Sequence, residues 1–361
     1  MLWIEKGNRF IWFEEPAYFV ASSYLCGTDK VSIAQACISR YHVDEEESLN
    51  FVAEVIAGVD SYERSNNSEP SDVLNKEIRG KEFAPFSFHN YSINSRILNF
   101  RFEKERYEYY LHPLLKHLET DEITNRTIVF EMFEHNNKIV LSVDDQVCGI
   151  WDEDETHLLK GMAFLQILNA VYEKKDDDWM TVIHASAVTN GKKTIAFTAS
   201  PGSGKSTIAA LLLQRGYSLV SDDFVPIERT TGNAFHVPIA MSVKEDATTI
   251  LSMFYPSLLE QAETHRSLTN KKVKYLYFRE TVTPSPVKEI IFIKYDPDVD
   301  FEMEKLPRIE ALKLLLDEAW TYPSAVNAGS FLDWFTGLVC YRLTYSNNEK
   351  AIKVIDQLFN L

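Results

Sequence analysis

The chain has 361 residues, 45% of them apolar and 25% charged. This length and balance allow one large domain or two of ordinary size, and they exclude a disordered chain. A formal net charge of −16 argues against nucleic acid or an anionic membrane surface as a partner.

In chain order, residues 1–62 read as a small separate unit. Two strand-like runs, NRFIWFE and AYFVAS, joined at Glu15-Pro16, predict a hairpin. Val31, Ile33, Ala34, Cys37, Ile38 and Tyr41 then recur at helical spacing behind a cap at Thr28 or Asp29. A second helix is expected from Glu45 to about Gly58, with Leu49, Val52, Val55 and Ile56 on one face. Strands followed by short helices suggest a winged-helix-like module. Residues 63–84, polar for most of their length, read as a linker.

From 85 to 361 the pattern is mixed α/β. Strand character dominates from Phe83 to Trp151, clearest at Ile97–Phe102, Thr127–Phe133 and Lys138–Val143, with a turn at His135-Asn136-Asn137. An apolar helix starts at Thr156, followed by the strand-like run TVIHASAV. Next come a strand at Thr194–Thr198, a helix at Ser206–Gln214 and a strand at Tyr217–Val220. A β-rich region (AFHVPIAMSV, KKVKYLYF, VKEIIFIKY) leads to helices at Arg308–Trp320, Ala328–Tyr341 and Glu349–Leu361. There is no internal repeat. The opening MLWIEKGNRFIWFEE has charges through its apolar part and no small-residue cleavage site, so no signal peptide is expected. Apolar runs such as Phe331–Tyr341 are too short to span a bilayer. Cys26, Cys37, Cys148 and Cys340 form no C-x-x-C pair, which fits a reducing cytosol and a cytoplasmic protein.

The chemistry concentrates in one stretch. Ser200, Pro201, Gly202, Ser203, Gly204, Lys205, Ser206 and Thr207 lie between a strand-like and a helix-like run. Strand, glycine loop and helix form the arrangement that wraps nucleotide phosphates, with backbone N–H groups and the helix N-terminus aimed at the anion. Lys205 would place a point charge on the outer phosphates, and the Ser206 hydroxyl would hold Mg²⁺. The strict P-loop pattern also asks for glycine where Ala199 stands. Downstream, an apolar run ends in Asp222 and Asp223. Two carboxylates at a strand exit can divide the roles of metal ligand and of base for an acceptor hydroxyl. The plainer readings are a Gly/Ser turn, a helix-capping Ser206 and an Asp-Asp turn. His184, inside TVIHASAV, is either a hydrogen-bonded core histidine or a group carried toward the γ-phosphate by a strand beside the nucleotide strand.

The block HASAV…PGSGKST…GYSLVSDDFVPI resembles the catalytic core of the HPr kinase/phosphorylase superfamily, more closely its HPr-kinase-like relatives of modification and biosynthetic clusters. The resemblance implies an α/β kinase core related to phosphoenolpyruvate carboxykinase, with a mixed sheet and with ATP and Mg²⁺ as cofactors. It implies that Lys205 contacts the phosphates, Ser206 binds magnesium and Asp223 is the general base on the acceptor hydroxyl. His184 would be catalytic, and Asp222 a metal or orienting partner. The chain departs from the family at Ala199 and lacks its glycine-rich C-terminal signature. Arg266 and Arg279 are candidates for stabilising transition-state charge, and Glu245 for a further metal ligand. The N-terminal unit faintly resembles PqqD-like peptide-recognition modules, to which a leader peptide would add as a strand; a structural cap or dimerisation module competes with that reading.

The function expected is an ATP- and Mg²⁺-dependent kinase of a serine-type hydroxyl, with a ribosomally made precursor peptide as one acceptor. A kinase of a small-molecule hydroxyl and a nucleotide-gated binding protein are the alternatives, and homo-oligomerisation stays open.

Overall fold

The computed structural model describes residues 1–4, 8–63, 78, 83–124, 126–262, 264–265, 272–278 and 280–360. The chain divides into two compact units: Met1–Glu69 with Thr321–Gly329, and Pro70–Trp320 with Ser330–Leu361. The sequence reading kept the first unit contiguous. Most of the expected linker lies outside the described residues, but Ile78 within it is buried against Phe133 and Val140.

In the first unit β1 (Leu2–Ile4) pairs antiparallel with β2 (Arg9–Ile11), Trp3 standing opposite Phe10. The expected hairpin partner AYFVAS is instead part of helix α1 (Glu15–Leu25). Pro16 sits in the first turn of α1, where its missing N–H leaves no bond unmade. The aromatic and β-branched run suits a strand locally. Packing decides otherwise, because a helix buries Val20 among Ile33, Cys37, Val52 and Ile56. Helix α2 (Lys30–Tyr41) is capped by Asp29, whose carboxylate accepts from the N–H groups of Val31 at 3.1 Å and Ser32 at 3.0 Å. Helix α3 (Glu45–Glu63) runs past Gly58, where the sequence suggested a stop. The later stretch joins this unit through the Asn8 side-chain amide, which donates to the Thr321 carbonyl.

The second unit is mixed α/β with several sheets. One sheet has the order β3 (Ser87–Ile93), β4 (Arg96–Phe102), β5 (Ile128–His135), β6 (Lys138–Val143), β7 (Gln146–Trp151). Only β4 and β5 are parallel, and helix α4 (Glu105–Leu115) makes the crossover between them. The sequence reading missed α4, although its buried Tyr107, Tyr110, Leu111 and Leu115 fall at helical spacing. Helix α5 (Thr156–Tyr172) buries Leu159, Ala163 and Ile167 in a core shared with Phe100, Phe130 and Leu141 of this sheet.

The larger sheet holds β8 (Trp179–Ile183), β9 (Ala185–Thr189), β10 (Thr194–Thr198), β11 (Ser218–Ser221), β12 (Val225–Glu228) and β13 (Asn233–Ala234), together with the long strand Ser285–Tyr295. Every residue of β8, β9 and β10 is buried, as expected of central strands covered on both faces. β9 pairs antiparallel with β10 and with β11, while β10 runs parallel to Ser285–Tyr295. The run TVIHASAV, expected as one strand, breaks at His184. There the chain leaves the β8–β12 pairing for the β9–β10 pairing, and the His184 N–H donates to the Glu318 carbonyl at 2.8 Å.

Helix α6 (Lys205–Leu213) packs Ile208 and Leu212 into a second core with Ile195 and Phe197 of β10. The stretch AFHVPIAMSV is extended only at its ends, in β13 and in the strand Met241–Lys244 of a separate small sheet. The expected helix Ala328–Tyr341 is also corrected. A helix spans Ala325–Thr336, the Gly337 N–H then bonds back to the Trp334 carbonyl, and Val339–Tyr345 is a strand parallel to Ser285–Tyr295. An apolar run reads equally well as buried helix or buried strand, and the glycine marks the switch. Helices Arg308–Glu318 and Asn348–Asn360 match expectation within two residues. Among the described residues no helix is long and apolar enough to cross a membrane.

Candidate functional site

β10 delivers the chain to the loop and α6 takes it away. Gly202 and Gly204 have φ of +98° and +96°, a region in which only glycine is unstrained. Gly204 is doubly required, since a Cβ there would come within 2.7 Å of the Tyr345 hydroxyl. Ser200, Pro201 and Gly202 are exposed, Ser203 and Gly204 half-buried. The Ser203 N–H and hydroxyl both donate to the Ser200 carbonyl, at 3.3 and 2.9 Å, which curls the loop on itself. No side chain caps α6, so the amides of its first turn remain for an anion at the loop. Lys205 is buried, 6% exposed, and its ammonium donates to the Ala199 carbonyl across the loop. Ala199, standing where the stricter pattern has glycine, packs on the core beneath α6. Thr207 follows, half-buried, in the first turn.

The loop is tied to the acidic step through Ser206. Its hydroxyl donates to Asp222, 2.9 Å from Oδ1 and 3.1 Å from Oδ2. The hydroxyl of Ser186, on β9, donates to the same carboxylate. Asp222 is 2% exposed. Burial raises its pKa first and the neighbouring charge of Asp223 second, against the two hydroxyls and Lys205. A buried carboxylate crowded by another and facing a serine hydroxyl is a hard oxygen donor set. It fits a divalent cation of the Mg²⁺ type, whose charge would offset that crowding.

Asp223 is half-buried and takes the left-handed conformation, φ +66°. Its carboxylate lies 3.6 Å from His184 Nε2, and His184 Nδ1 lies 2.8 Å from Glu318. The His184 pKa is raised, chiefly by its hydrogen bond to Asp223, against burial and the charge of Lys205. Glu318 therefore holds the imidazole from behind while Asp223 meets it in front.

His184, Lys205, Ser206, Asp222 and Asp223 thus come together on the adjoining ends of β8, β9, β11 and α6. Sequence reasoning missed Ser186 and Glu318. Ser186 stands two residues from His184 in the run read as one strand, which was a usable signal even though the strand breaks at His184. Glu318 is 134 residues from His184 and carries no local signature. Arg266 and Arg279 lie outside the described residues. Glu245 opens a short helix, Glu245–Leu251, and lines a different cavity with Thr248, Lys272 and Lys274. Comparison with protein-family models and with curated proteins finds no match to the chain.

Proposed function

We propose that the chain is an ATP- and Mg²⁺-dependent phosphotransferase that phosphorylates a hydroxyl group. Its second unit would be a P-loop kinase core of the HPr kinase and phosphoenolpyruvate carboxykinase type. The observation that carries this reading is one connected set of contacts. The glycine loop reaches Asp222 through Ser206, and the next residue, Asp223, faces His184. Contacts of this kind support a site in which a phosphate cradle and a hydroxyl-activating group would act together.

In this reading the α6 N-terminus, the loop amides of Gly202–Thr207 and Lys205 take the phosphate charge. Ser206 and Asp222 would hold Mg²⁺, which when bound would supply charge neutralisation at the transferring phosphoryl group. Asp223 accepts the proton of the acceptor hydroxyl as its oxygen bonds the γ-phosphorus. The β,γ-bridging oxygen leaves with the electron pair on ADP. The left-handed backbone at Asp223 and the Glu318-held imidazole would together hold the carboxylate in position.

The first unit, with its β1–β2 hairpin and helices α1 to α3, supports a winged-helix-like module. All four thiols are unpaired, in keeping with a cytoplasmic setting. The test is nucleotide binding together with ATP-dependent transfer to hydroxyl acceptors. Lys205→Ala should weaken MgATP binding and lower transfer by about 10²-fold or more, with an unchanged circular dichroism spectrum. Full transfer by this variant would refute the assignment.

A further inference from the structure

A cavity of 220 Å³ opens against His184, Asp222 and Asp223. None of Ser200–Thr207 lines it, so it lies on the acceptor side of the acidic pair and not on the phosphate side. Aromatic rings contribute to its walls, from Tyr109 and Tyr110 on α4, Phe164 on α5, Phe224 and Tyr275. His157, Lys160, Gly161 and Phe164 all face it, at the i, i+3, i+4, i+7 spacing of one helix face.

Two features of that face point to an occupant. Among the described lining residues Lys160 alone is a lysine or arginine, with its ammonium 5.5 Å from the centre of the Tyr110 ring. Gly161 is in the interior of α5, where alanine is the better helix former. No atom beyond the helix backbone comes within 4 Å of the place its Cβ would take. Neither packing nor backbone conformation asks for glycine here. What the missing side chain provides is clearance in the cavity.

The geometry points to this cavity as the binding site of the phosphoryl acceptor, a compact hydroxyl compound with an apolar body and an anionic group paired with Lys160. This rests on the kinase reading given above. The volume is below the roughly 300–1,000 Å³ of sites for drug-sized ligands, a size that suits a compact molecule. The acceptor's hydroxyl oxygen would bond the γ-phosphorus, its proton passing to Asp223 and ADP leaving.

The full chain with MgATP is tested by phosphorus NMR against D-glycerate, 3-hydroxybutyrate and glycerol 3-phosphate, with glyceramide, 3-hydroxybutyramide and glycerol as neutral counterparts and serine-containing peptides as a third arm. Transfer to one or more of the anionic compounds, with the neutral counterpart about tenfold or more poorer, is the expected result; the carboxylate and phosphate members identify which anion Lys160 takes. Lys160→Met should raise KM for that acceptor by about tenfold or more, while ATP affinity stays within about twofold. Gly161→Leu should fill the cavity, lower kcat/KM by about tenfold or more and leave the melting temperature no lower. Transfer confined to peptides or neutral alcohols overturns the inference. So does full activity in Gly161→Leu, or ATP bound with none of the anionic compounds phosphorylated. Failure to bind ATP at all would instead refute the kinase reading beneath it.

Discussion

The two largest sheets of the second unit use the same unusual backbone conformation for different ends. In the β3–β7 sheet, left-handed non-glycine residues come in adjacent pairs: Asn94-Ser95, Asn136-Asn137 and Asp144-Asp145. Each pair is a two-residue loop between antiparallel neighbours, closing Ile93 onto Arg96, His135 onto Lys138 and Val143 onto Gln146. Positive φ at both positions is what such a hairpin requires, because it matches the twist of the strands. In the larger sheet Asp223 stands alone. The strands around it, β11 and β12, do not pair with each other: β11 joins β9, and β12 joins β8 and β13. No hairpin demands that conformation. The left-handed backbone of Asp223 closes no hairpin, and its carboxylate faces His184.

One substitution made in both regions sharpens this contrast. Asp223→Gly keeps the backbone conformation and removes the carboxylate. It should lower phosphoryl transfer by about 10²–10⁴-fold with the fold retained, as read by product formation and thermal melting. Asn137→Gly should leave activity and stability nearly unchanged, within about 0.5 kcal/mol. If both glycine variants stay active, Asp223 is only a turn residue.

A smaller effect tests the hairpins in the other direction. Asn137→Val forces a β-branched residue to positive φ and should cost about 1–2 kcal/mol, measured by urea unfolding. Transfer should persist below the melting transition.

The smallest effect is one of pH and belongs to the β3–β7 region. His112 on α4 meets the Tyr91 hydroxyl at 2.9 Å and stacks on His89, with Glu108, Glu119 and Lys116 nearby. Burial first and the His89 charge second lower its pKa, against the two glutamates. The unfolded chain then binds this proton more readily than the folded one. Its contribution should turn against folding as pH falls through the ordinary histidine value of about 6.5 and level off below the folded pKa. Urea unfolding at about pH 7.5 and about pH 5.5 should show less loss of stability in His112→Gln than in the parent chain. An equal loss would remove this assignment.

The parts of the site legible in the sequence were those in which neighbouring residues make the chemistry together. Gly202, Gly204, Lys205 and Ser206 form one loop and helix start, and Asp222-Asp223 lies one strand further on. Their spacing alone suggested that they meet. Glu318 escaped because its partner is remote in the chain, and one glutamate at a helix end looks like any other. The errors of fold have the same origin. AYFVAS has strand-forming residues, but Pro16 and the burial of Val20 among α2 and α3 make it helix. The run 331–341 is mostly apolar, and Gly337 was the one cue in it that helix gives way to strand.

The return of Thr321–Gly329 to the first unit bears on how the protein is made. Residues 1–69 are synthesised before the second unit, yet the stretch that completes their unit is synthesised after nearly all of the second. At about 5–20 residues per second the interval is some tens of seconds. Nascent α1, α2 and α3 spend it without their last segment, and the carbonyl that receives the Asn8 amide is among the late arrivals. The first unit is thus begun ahead of the second and finished only after most of it.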